Sequence, residues 1–165
     1  YEVPVGFKHI SKKLEDTDAV LGGESSGGLT VRGHIPGKDS VYAAALFVEA
    51  VSVLGKSPSQ IMDELYGMLG RHVMLEESLA FTREEEAAVR RDILEKRSLP
   101  AFSQAIERVT YEDGCKVYFT DGSFAVCRFS GTEPLIRLCA EAPDEAQAQA
   151  SMTAFKRHIQ GLLGK

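Results

Sequence analysis

The chain has 165 residues, 44% of them hydrophobic and 26% charged, and its formal net charge is -5. This length allows one ordinary domain or two small ones, and the composition is close to that of an average globular protein. The negative charge argues against a general nucleic-acid-binding protein, and no apolar run approaches the length of a membrane span. We therefore expect a cytoplasmic protein with neither a nucleic-acid nor a membrane partner.

The cysteines and histidines indicate neither a disulfide framework nor a metal site. Cys115, Cys127 and Cys139 form no CxxC pair and lie in strand-like segments, so we expect buried, reduced thiols. The four histidines are scattered along the chain without the spacing of metal ligands. The sequence therefore predicts no metal ion in this chain.

Helices and short strands are predicted for the first half of the chain. Apolar residues at helical spacing predict a helix over residues 5–14, and two short apolar runs flank a glycine-rich loop at 22–28. Asp39 is the predicted N-cap of a helix over 40–54, and a capping-box pattern precedes a further helix over 61–69. Because the 40–54 helix is apolar nearly all round, we expect it to be buried against a sheet.

The second half has a pattern typical of an antiparallel sheet. An extended segment at 72–81 and a helix from the Thr82 capping box to about Lys96 come first. From Ile106 onward apolar residues alternate, and two Asp-Gly pairs provide strong hairpin signals. They predict a four-stranded meander over residues 106–112, 115–120, 123–129 and 135–141. A helix over 145–163 is predicted to cover it.

The expected fold is an α/β part, with helices and strands of a mixed sheet, followed by an α+β domain. The boundary is predicted between Leu79 and Thr82, so that residues 1–80 form the first part and residues 81–165 the second. In the second part, helices cover a four-stranded antiparallel sheet.

Two arginines are brought together by the last predicted hairpin. With Phe129 and Ile136 flanking the turn, Arg128 lies directly opposite Arg137, because cross-strand partners move outward in step. Two-residue turns at both Asp-Gly pairs complete the predicted alignment, which has three rows: Val109, Tyr118, Ala125 and Ala140; Thr110, Val117, Val126 and Cys139; and Glu112, Cys115, Arg128 and Arg137. The two arginines therefore lie at one edge of the sheet, beside the turn.

The composition of this hairpin indicates a phosphate receptor. Like charges that face each other destabilise a sheet unless an anion lies between them. The turn adds the hydroxyls of Ser130 and Thr132, and Gly131 can take the positive φ that lets backbone N–H groups form an anion-binding nest. Two guanidiniums, two hydroxyls and a nest suit a phosphate group. The alternative is a surface hairpin whose arginines pair with carboxylates such as that of Glu112.

The glycine-rich loop and a lysine near the start of the chain are further candidates. Four glycines in 22–28 let the backbone approach a ligand closely. Glu24 and Ser26 supply an acceptor and a donor, a combination that suits sugar hydroxyls. A solvated Glu24 in an ordinary strand connection is the alternative. Lys8 could transfer a proton or hold an anion, although a lone helical lysine usually faces solvent.

Four short motifs occur in a fixed order along the chain: Val5-Gly-Phe-Lys8, Gly23-Glu-Ser-Ser-Gly27, His34-Ile-Pro-Gly-Lys-Asp39 and Arg128-Phe-Ser-Gly-Thr-Glu-Pro134. In this order and spacing the chain resembles the α-D-phosphohexomutase superfamily, the phosphoglucomutases and phosphomannomutases. The resemblance implies a four-domain isomerase of carbohydrate metabolism. Residues 1–80 match the second half of its third domain, and residues 81–165 match its fourth, phosphate-binding domain. Since the chain begins at Tyr1 rather than Met, we expect a C-terminal piece of such an enzyme.

The resemblance also implies roles for the candidate residues. Glu24 and Ser26 match residues that grip ring hydroxyls, and Lys8 matches a lysine near the substrate that could transfer a proton. His34 and Lys38 lie in a loop that faces the cleft in relatives. The site that clamps the non-reacting phosphate of the substrate is matched by Arg128, Ser130, Gly131, Thr132 and Arg137.

Two motifs of the family are missing from the chain: the phosphoserine loop, usually Ser-His-Asn-Pro, and the metal loop, Asp-Gly-Asp-x-Asp-Arg. The reaction implied by the resemblance relocates a phosphate through a hexose bisphosphate, with phosphoserine as donor and Mg²⁺ neutralising the transferring group. Without these loops the chain is predicted to be inactive by itself. We expect no cofactor in this chain and Mg²⁺ in the full-length enzyme.

The expected ligands are hexose phosphates and a hexose bisphosphate, and the expected partners are the N-terminal domains of the same enzyme. Two alternatives remain open, a stand-alone, non-catalytic phosphosugar-binding module and a structural scaffold whose arginines form only salt bridges. The sequence leaves open which hexose is bound and which oligomeric state is formed.

Overall fold

The structure is a computed structural model that describes residues 1–131 and 133–164. The chain divides into two compact units, Tyr1–Met68 and Leu69–Lys165. Helices account for most of the first unit, and an antiparallel sheet forms the centre of the second. Thr132, one of the predicted site residues, lies outside the described residues.

The first unit contains a small hairpin and three helices: α1 (Phe7–Thr17), β1 (Leu21–Gly23), β2 (Leu29–Val31), α2 (Ser40–Leu54) and α3 (Pro58–Leu69). β1 and β2 are antiparallel. Asp39 caps α2 as predicted, because its carboxylate accepts the backbone N–H groups of Val41 and Tyr42, each at 3.0 Å. Helix α2 therefore begins where its capping signal places it.

Helix α2 is exposed, contrary to the prediction that a sheet covers it. None of its 15 residues, all of which the structure describes, is buried, and Val41, Val48 and Val53 are 79%, 63% and 78% exposed. The β1–β2 hairpin has only 3 residues in each strand, which is too small a sheet to cover a helix of this length. The Asp39 cap and the apolar run predict the helix but not the element that it packs against.

The second unit follows the order β3 (Val73–Ala80), α4 (Arg83–Arg90), β4 (Ile106–Thr110), β5 (Cys115–Phe119), β6 (Phe124–Phe129), β7 (Leu135–Ala142) and α5 (Glu145–Leu163). Helix α4 continues into a π-helical turn, Arg91–Glu95. The five strands form an antiparallel sheet in the order β3-β7-β6-β5-β4. The α/β part followed by a helix-covered antiparallel sheet is thus confirmed, with one more strand than predicted.

The additional strand comes from the segment at 72–81 that was predicted only to be extended. As β3 it pairs with β7 along its whole length. Its residues alternate between half-buried and exposed, and Leu75 and Leu79 pack against the core. The second compact unit therefore includes a strand that precedes the boundary predicted after residue 80.

The two Asp-Gly loops set a different register from the predicted one, because each contains three residues rather than two. In the second loop the Phe119 N–H donates to the Ser123 carbonyl at 2.9 Å, and the Gly122 N–H donates to the Phe119 carbonyl at 3.1 Å. Gly114 and Gly122 have φ angles of 88° and 85°. A left-handed last residue is typical of three-residue hairpin loops.

The extra loop residue shifts β5 by one position. Cys115 pairs with Cys127 rather than with Arg128, and a shift of one residue moves every side chain of a strand to the other face. Cys115 is therefore in the core. The predicted pairing of Arg128 with Arg137 is confirmed. The two central rows become Val109, Val117, Ala125 and Ala140, and Thr110, Lys116, Val126 and Cys139.

The core lies on one face of the sheet, beneath α4, the π-helical turn and α5. Helix α5 contributes the buried side chains of Ala148, Met152, Phe155 and Ile159 to this core, whereas Leu162 is 38% exposed. The largest fully buried side chains are Phe119, Phe155, Ile93, Ile136, Leu138 and Ile159. On the opposite face long cationic side chains cover aromatic rings, with Arg108 3.3 Å from the Tyr118 centroid.

The helices provide little evidence for a membrane span. Within residues 1–131 and 133–164, no single helix is both long enough and apolar enough to cross a membrane. Helices α2 and α3 reach that length and composition only as a pair, and they are bent by 85° at the break between them.

Candidate functional site

The paired arginines lie on the face of the sheet opposite the core. Arg128 in β6 and Arg137 in β7 are cross-strand partners. Their neighbours Phe129 and Ile136 are buried in the core, so alternation along each strand turns both arginines to the other face. Arg128 is half-buried and Arg137 is exposed. Because the Cβ atoms of such a pair are about 5 Å apart, both guanidiniums can reach one small ligand.

No internal counter-ion accounts for this pair among the described residues. Within residues 1–131 and 133–164, no carboxylate forms an ion pair with either guanidinium. Glu112 was the carboxylate that the salt-bridge alternative offered. It lies in the loop before β5, and the shifted register removes it from the row of the arginines. These observations favour an external anion over a salt-bridged hairpin.

The turn that follows Arg128 is closed by hydrogen bonds of its own. The Ser130 N–H donates to the Leu135 carbonyl at 2.9 Å, and the Glu133 N–H donates to the Ser130 hydroxyl at 3.3 Å. The Phe81 N–H donates to the Pro134 carbonyl at 3.1 Å and ties the turn to the end of β3. The turn is therefore held both within itself and to the neighbouring strand.

The backbone of this turn departs from the predicted anion-binding nest in two respects. The Ser130 N–H closes the hairpin instead of pointing at a ligand. The φ angle of Gly131 lies outside the left-handed region that the nest requires. Thr132 lies outside the described residues. Anion binding here would therefore depend mainly on the side chains of Arg128 and Arg137.

In the first unit, the glycine-rich loop presents a carboxylate and a hydroxyl. The Glu24 N–H donates to the Gly28 carbonyl at 2.8 Å, and the Gly27 N–H donates to the Glu24 carbonyl at 2.9 Å. Gly27 has a φ of 93°, which glycine adopts without steric cost. Ser26 is exposed at the tip of the loop, whereas the Glu24 side chain is 18% exposed.

Lys38 reaches across this loop and pairs with Glu24. Its Nζ lies 3.2 Å from Glu24 Oε2, and its side chain passes over Gly28. A Cβ atom built on Gly28 would lie 2.9 Å from Lys38 Cδ and 3.3 Å from Glu24 Oε2. A side chain at residue 28 would therefore displace Lys38 from the position in which it pairs with Glu24. The ion pair joins the glycine-rich loop, predicted to bind sugar hydroxyls, to the loop of His34 and Lys38, which faces the cleft in relatives according to the resemblance.

His34 is held by the residues that begin α2. Its Nε2 lies 3.1 Å from Asp39 Oδ2, and its ring stacks on that of Tyr42 with centroids 4.1 Å apart. The pKa of the Asp39 carboxyl lies below its ordinary value. The main cause is the hydrogen bond from the Tyr42 N–H, followed by the one with the His34 side chain. An ionised Asp39 therefore fixes both the helix start and the imidazole.

Lys8 lies in the first turn of α1 and is exposed. Three residues later, Ser11 donates its hydroxyl to the Pro36 carbonyl at 2.8 Å, and helical residues three apart share a face. Lys8 is therefore on the side of α1 that contacts the loop containing His34 and Lys38. The sequence did not single out Ser11, because a serine within a helix usually bonds only its own backbone.

The predicted site residues thus form two groups. In the first unit, hydrogen bonds and an ion pair link α1, the glycine-rich loop and the loop before α2. In the second unit, the arginines flank the turn between β6 and β7. The first group is Lys8, Glu24, Ser26, His34 and Lys38, and the second is Arg128, Ser130, Gly131 and Arg137.

The described residues do not fit a magnesium site. Within residues 1–131 and 133–164, no three His, Cys, Asp or Glu side chains come together so as to hold an ion. Mg²⁺ requires several oxygen ligands in octahedral geometry, and the Glu24 carboxylate is already paired with Lys38. No chemical step is therefore assigned to a metal held by these residues.

The three cysteines are free thiols, as predicted. Cys115 and Cys127 are buried and Cys139 is half-buried. Burial raises the pKa of the Cys115 and Cys139 thiols to about 11 and raises that of Cys127 still more strongly. All three thiols are therefore protonated at neutral pH rather than activated as nucleophiles. Cys115 and Cys127 belong to the core.

Two family models match the chain. The model of the phosphoglucomutase/phosphomannomutase alpha/beta/alpha domain III matches residues 1–69, and that of the C-terminal domain of the same family matches residues 79–157. A phosphoglucomutase/phosphomannomutase of Thermococcus kodakarensis is 30% identical over 149 residues, or 88% of this chain and 29% of that protein. A phosphoglucosamine/phosphogalactosamine mutase of Sulfurisphaera tokodaii is 31% identical over 159 residues, or 95% of this chain and 32% of that protein.

The fold agrees with these matches. The crystal structure of a phosphoglucomutase/phosphomannomutase family protein from Burkholderia thailandensis is similar with a TM-score of 0.70 at 24% identity, covering 96% of this chain and 32% of that one. The proteins matched are thus sugar-phosphate mutases that share two consecutive domains with this chain. The chain belongs to the phosphoglucomutase/phosphomannomutase family. It spans about a third of the length of the relatives that it matches.

Proposed function

We propose that this chain is the sugar- and phosphate-binding part of a phosphohexomutase, which interconverts hexose 1-phosphates and hexose 6-phosphates through a bisphosphate. The observation that carries the proposal is the pairing of Arg128 with Arg137, with no carboxylate partner among the described residues. Family membership supports it, because relatives are named as mutases of phosphorylated hexoses and hexosamines.

In this proposal the arginine pair binds the phosphate that does not react. A guanidinium donates two parallel hydrogen bonds to an oxyanion, and two guanidiniums on neighbouring strands approach a dianion from two sides. The bound phosphate offsets the repulsion between Arg128 and Arg137, so binding also removes an unfavourable interaction within the sheet. The Ser130 hydroxyl at the adjacent turn is a further polar group within this surface.

The loop of Glu24 and Ser26 recognises the sugar ring. A carboxylate accepts two hydroxyl protons at once, and the serine hydroxyl both donates and accepts. The reaction presents the sugar in two orientations, since first one and then the other phosphate must react. The loop therefore reads hydroxyl groups that are common to both orientations. Lys8 and Lys38 add positive charge on the same side of the unit, and Lys8 is the candidate for proton transfer.

Phosphoryl transfer itself requires groups that this chain does not contain. Its 165 residues include neither the Ser-His-Asn-Pro phosphoserine motif nor the Asp-Gly-Asp-x-Asp-Arg metal motif. The phosphoserine, and the Mg²⁺ that supplies charge neutralisation, would come from N-terminal domains of a longer enzyme. The chain alone would bind hexose phosphates without converting them.

Binding is tested by NMR titration of the chain with glucose 1,6-bisphosphate. We expect amide shifts from Arg128 to Gly131. Removing a charged hydrogen-bond donor in Arg137→Ala should raise the dissociation constant about tenfold. Arg157→Ala, an exposed arginine on α5, is the matched control and should bind as the wild type does. An absence of shifts at millimolar ligand would contradict the proposal and favour the scaffold.

Catalysis is tested separately, by assaying the purified chain for conversion of glucose 1-phosphate to glucose 6-phosphate. No turnover is expected, because the phosphoryl donor is absent. Turnover above the buffer rate would contradict the assignment of the chemistry to other domains. The same assay on the longer enzyme with glucose, mannose and glucosamine phosphates would identify the hexose.

The lack of both catalytic motifs is the observation that favours a second function, a phosphosugar-binding module that acts as it stands. The two functions predict different starting points for the reading frame of the gene. A reading frame that continues upstream through both missing motifs would support the mutase. A reading frame that starts at this chain would support the module.

A further inference from the structure

A cation stacks on the aromatic ring that lies between Arg128 and Ser130. Arg90, the last residue of α4, places its guanidinium carbon 4.3 Å from the centroid of the Phe129 ring. Phe129 is 8% exposed, and it pairs with Ile136 across β6 and β7. Arg90 therefore covers the last core side chain of β6 before the turn.

Arg90 is itself held in place. Its Nη2 lies 3.0 Å from Glu86 Oε1, one turn earlier on the same helix. Helix α4 begins with a complete capping box, in which the Thr82 N–H donates to Glu85 at 2.9 Å and the Glu85 N–H donates to the Thr82 hydroxyl at 3.2 Å. Its Val89 side chain is fully buried. The guanidinium thus projects from a fixed element onto the end of the hairpin.

We propose that Arg90 is a positioning residue for the phosphate site described above, so the inference rests on the proposed function. Phe129 and Arg128 are consecutive in β6 and their side chains lie on opposite faces of the sheet. Arg90 meets the face of Phe129, so it acts through that ring and not by contact with the phosphate. By fixing Phe129 it fixes the backbone that sets the separation of Arg128 and Arg137.

The contact of Arg90 with Phe129 lies at the end of the ladder between β6 and β7. Arg128 and Arg137 lie next to the last pair of the ladder, Phe129 and Ile136. Their mutual repulsion favours separation when no anion is bound. The Ser130 N–H bond to Leu135 closes the hairpin beyond them. A cation–π contact at a partly exposed site changes such an equilibrium by about two- to fivefold. Losing it should allow that bond to open and the arginines to separate.

The test uses the whole chain with Arg90→Met, which keeps the length of the side chain without its charge, and Arg90→Lys, which keeps a cation over the ring. Arg157→Met controls for the loss of a charge elsewhere in the same unit. The dissociation constant for glucose 1,6-bisphosphate and the hydrogen exchange of the Ser130 amide without ligand are measured by NMR. Arg90→Met should raise both the dissociation constant and the exchange rate about threefold. Arg90→Lys should restore both values, and exchange of the Ala125 and Ala140 amides in mid-sheet should not change.

A second set of variants, in which Phe129 is replaced, distinguishes an effect of Arg90 through the ring from a general effect of its charge. In Phe129→Leu, which keeps an apolar side chain but removes the ring, Arg90→Met should have no further effect on either quantity. The same loss of affinity with and without the ring would overturn the proposal, as would wild-type values in Arg90→Met. An unfolded Arg90→Met chain would also overturn it, since Arg90 would then serve stability. If the wild type binds no glucose 1,6-bisphosphate, the proposed function fails, while the exchange of the Ser130 amide still decides whether Arg90 holds the hairpin.

Discussion

Without a bound anion, the facing charges of Arg128 and Arg137 should destabilise the hairpin. Like charges on cross-strand partners repel each other, by an amount that depends on how much solvent screens them. A folded domain retains such a pair when the charges serve a ligand, so function and stability should oppose each other at this site.

Replacing one of these arginines should stabilise the free chain while it weakens ligand binding. Arg137→Met removes the repulsion and keeps the apolar stem of the side chain. Because Arg137 is exposed, we expect a gain of at most about 1 kcal/mol in the free energy of unfolding. The measurement is urea unfolding in a buffer without phosphate, with Arg157→Met as control. A less stable Arg137→Met chain would indicate that the arginines are internally compensated.

A single methyl group at residue 28 should weaken the link between the glycine-rich loop and the loop that contains Lys38. In Gly28→Ala the new Cβ would lie 2.9 Å from Lys38 Cδ, so the lysine side chain must shift, and we expect its contact with Glu24 to weaken. The exposed ion pair contributes at most about 1 kcal/mol, so the chain should stay folded. We expect weaker binding of glucose 1-phosphate in an NMR titration, because Glu24 loses the contact that orients it.

Gly37→Ala is the matched control for this substitution. No described atom lies within 4 Å of a Cβ at residue 37, and its φ is outside the left-handed region. This variant should bind glucose 1-phosphate as the wild type does. Equal affinity in Gly28→Ala would mean that the Lys38 contact does not position Glu24.

Single residues were predictable from sequence where the signal is local. The N-cap role of Asp39 and the facing arginines follow from a few neighbouring residues. The contact of Lys38 with Glu24 joins residues 14 positions apart and arises only from packing of one loop on another. Ser11 was missed for the same reason, since its partner Pro36 is 25 positions away.

At the level of elements, Asp121 ties the β5–β6 loop to the start of α5. Its carboxylate accepts the Ser123 hydroxyl and, at 3.0 Å, the Ser123 N–H. The Gln147 side-chain amide donates to the other oxygen. These bonds, led by that of the Ser123 hydroxyl, hold the pKa of Asp121 below its ordinary value. The loop and the helix are thus linked through one ionised carboxylate.

The contribution of Asp121 to stability should disappear in acid. A group whose pKa is lowered by folding stabilises the fold fully above its unfolded pKa, about 4, and loses that contribution as the pH falls through the folded value. Asp121→Asn should therefore be less stable than the wild type at neutral pH, by about 1 kcal/mol for an exposed site. Below about pH 4 the difference should shrink. Unfolding curves across this range test it, and a difference independent of pH would contradict the assignment.

The elements themselves were largely predictable, and their pairing was less so. Helices α2 and α5 follow from apolar periodicity and capping residues. An Asp-Gly pair fits both two-residue and three-residue loops, and the φ angles of the loop residues determine which of the two forms. Here only the glycines adopt positive φ, which gives three-residue loops and moves Cys115 into the core. Strand β3 was hard to predict because its partner, β7, begins more than 50 residues later.

At the scale of the whole molecule, burial is concentrated in the second unit. Every buried hydrophobic residue among those described lies at or after Val89, and Thr30 is the only buried residue of the first unit within the described range. The apolar helix α2 remains exposed. The second unit therefore contains the whole core that the described residues form.

Residues 69–165 should fold without the first unit. We expect a cooperative thermal unfolding transition and dispersed NMR amide signals that match those of the same residues in the full chain. The reason is that the sheet, α4 and α5 bury one another. Residues 1–68 alone should show no cooperative transition. A disordered 69–165 would contradict this division of the core.

The order of motifs was sufficient to predict the family and the sequence of its domains, because each motif combines backbone and side-chain requirements over several residues. The fifth strand and the exposure of α2 could not be predicted in this way. Both depend on which elements pack together in the folded chain, and short sequence patterns do not determine that packing.

The most direct measurement of the central claim is a crystal structure of the chain with glucose 1,6-bisphosphate. We expect one phosphate group between the two guanidiniums, with oxygen atoms about 2.8 Å from nitrogen atoms of both Arg128 and Arg137. A phosphate bound elsewhere, with the two side chains turned apart, would contradict the account.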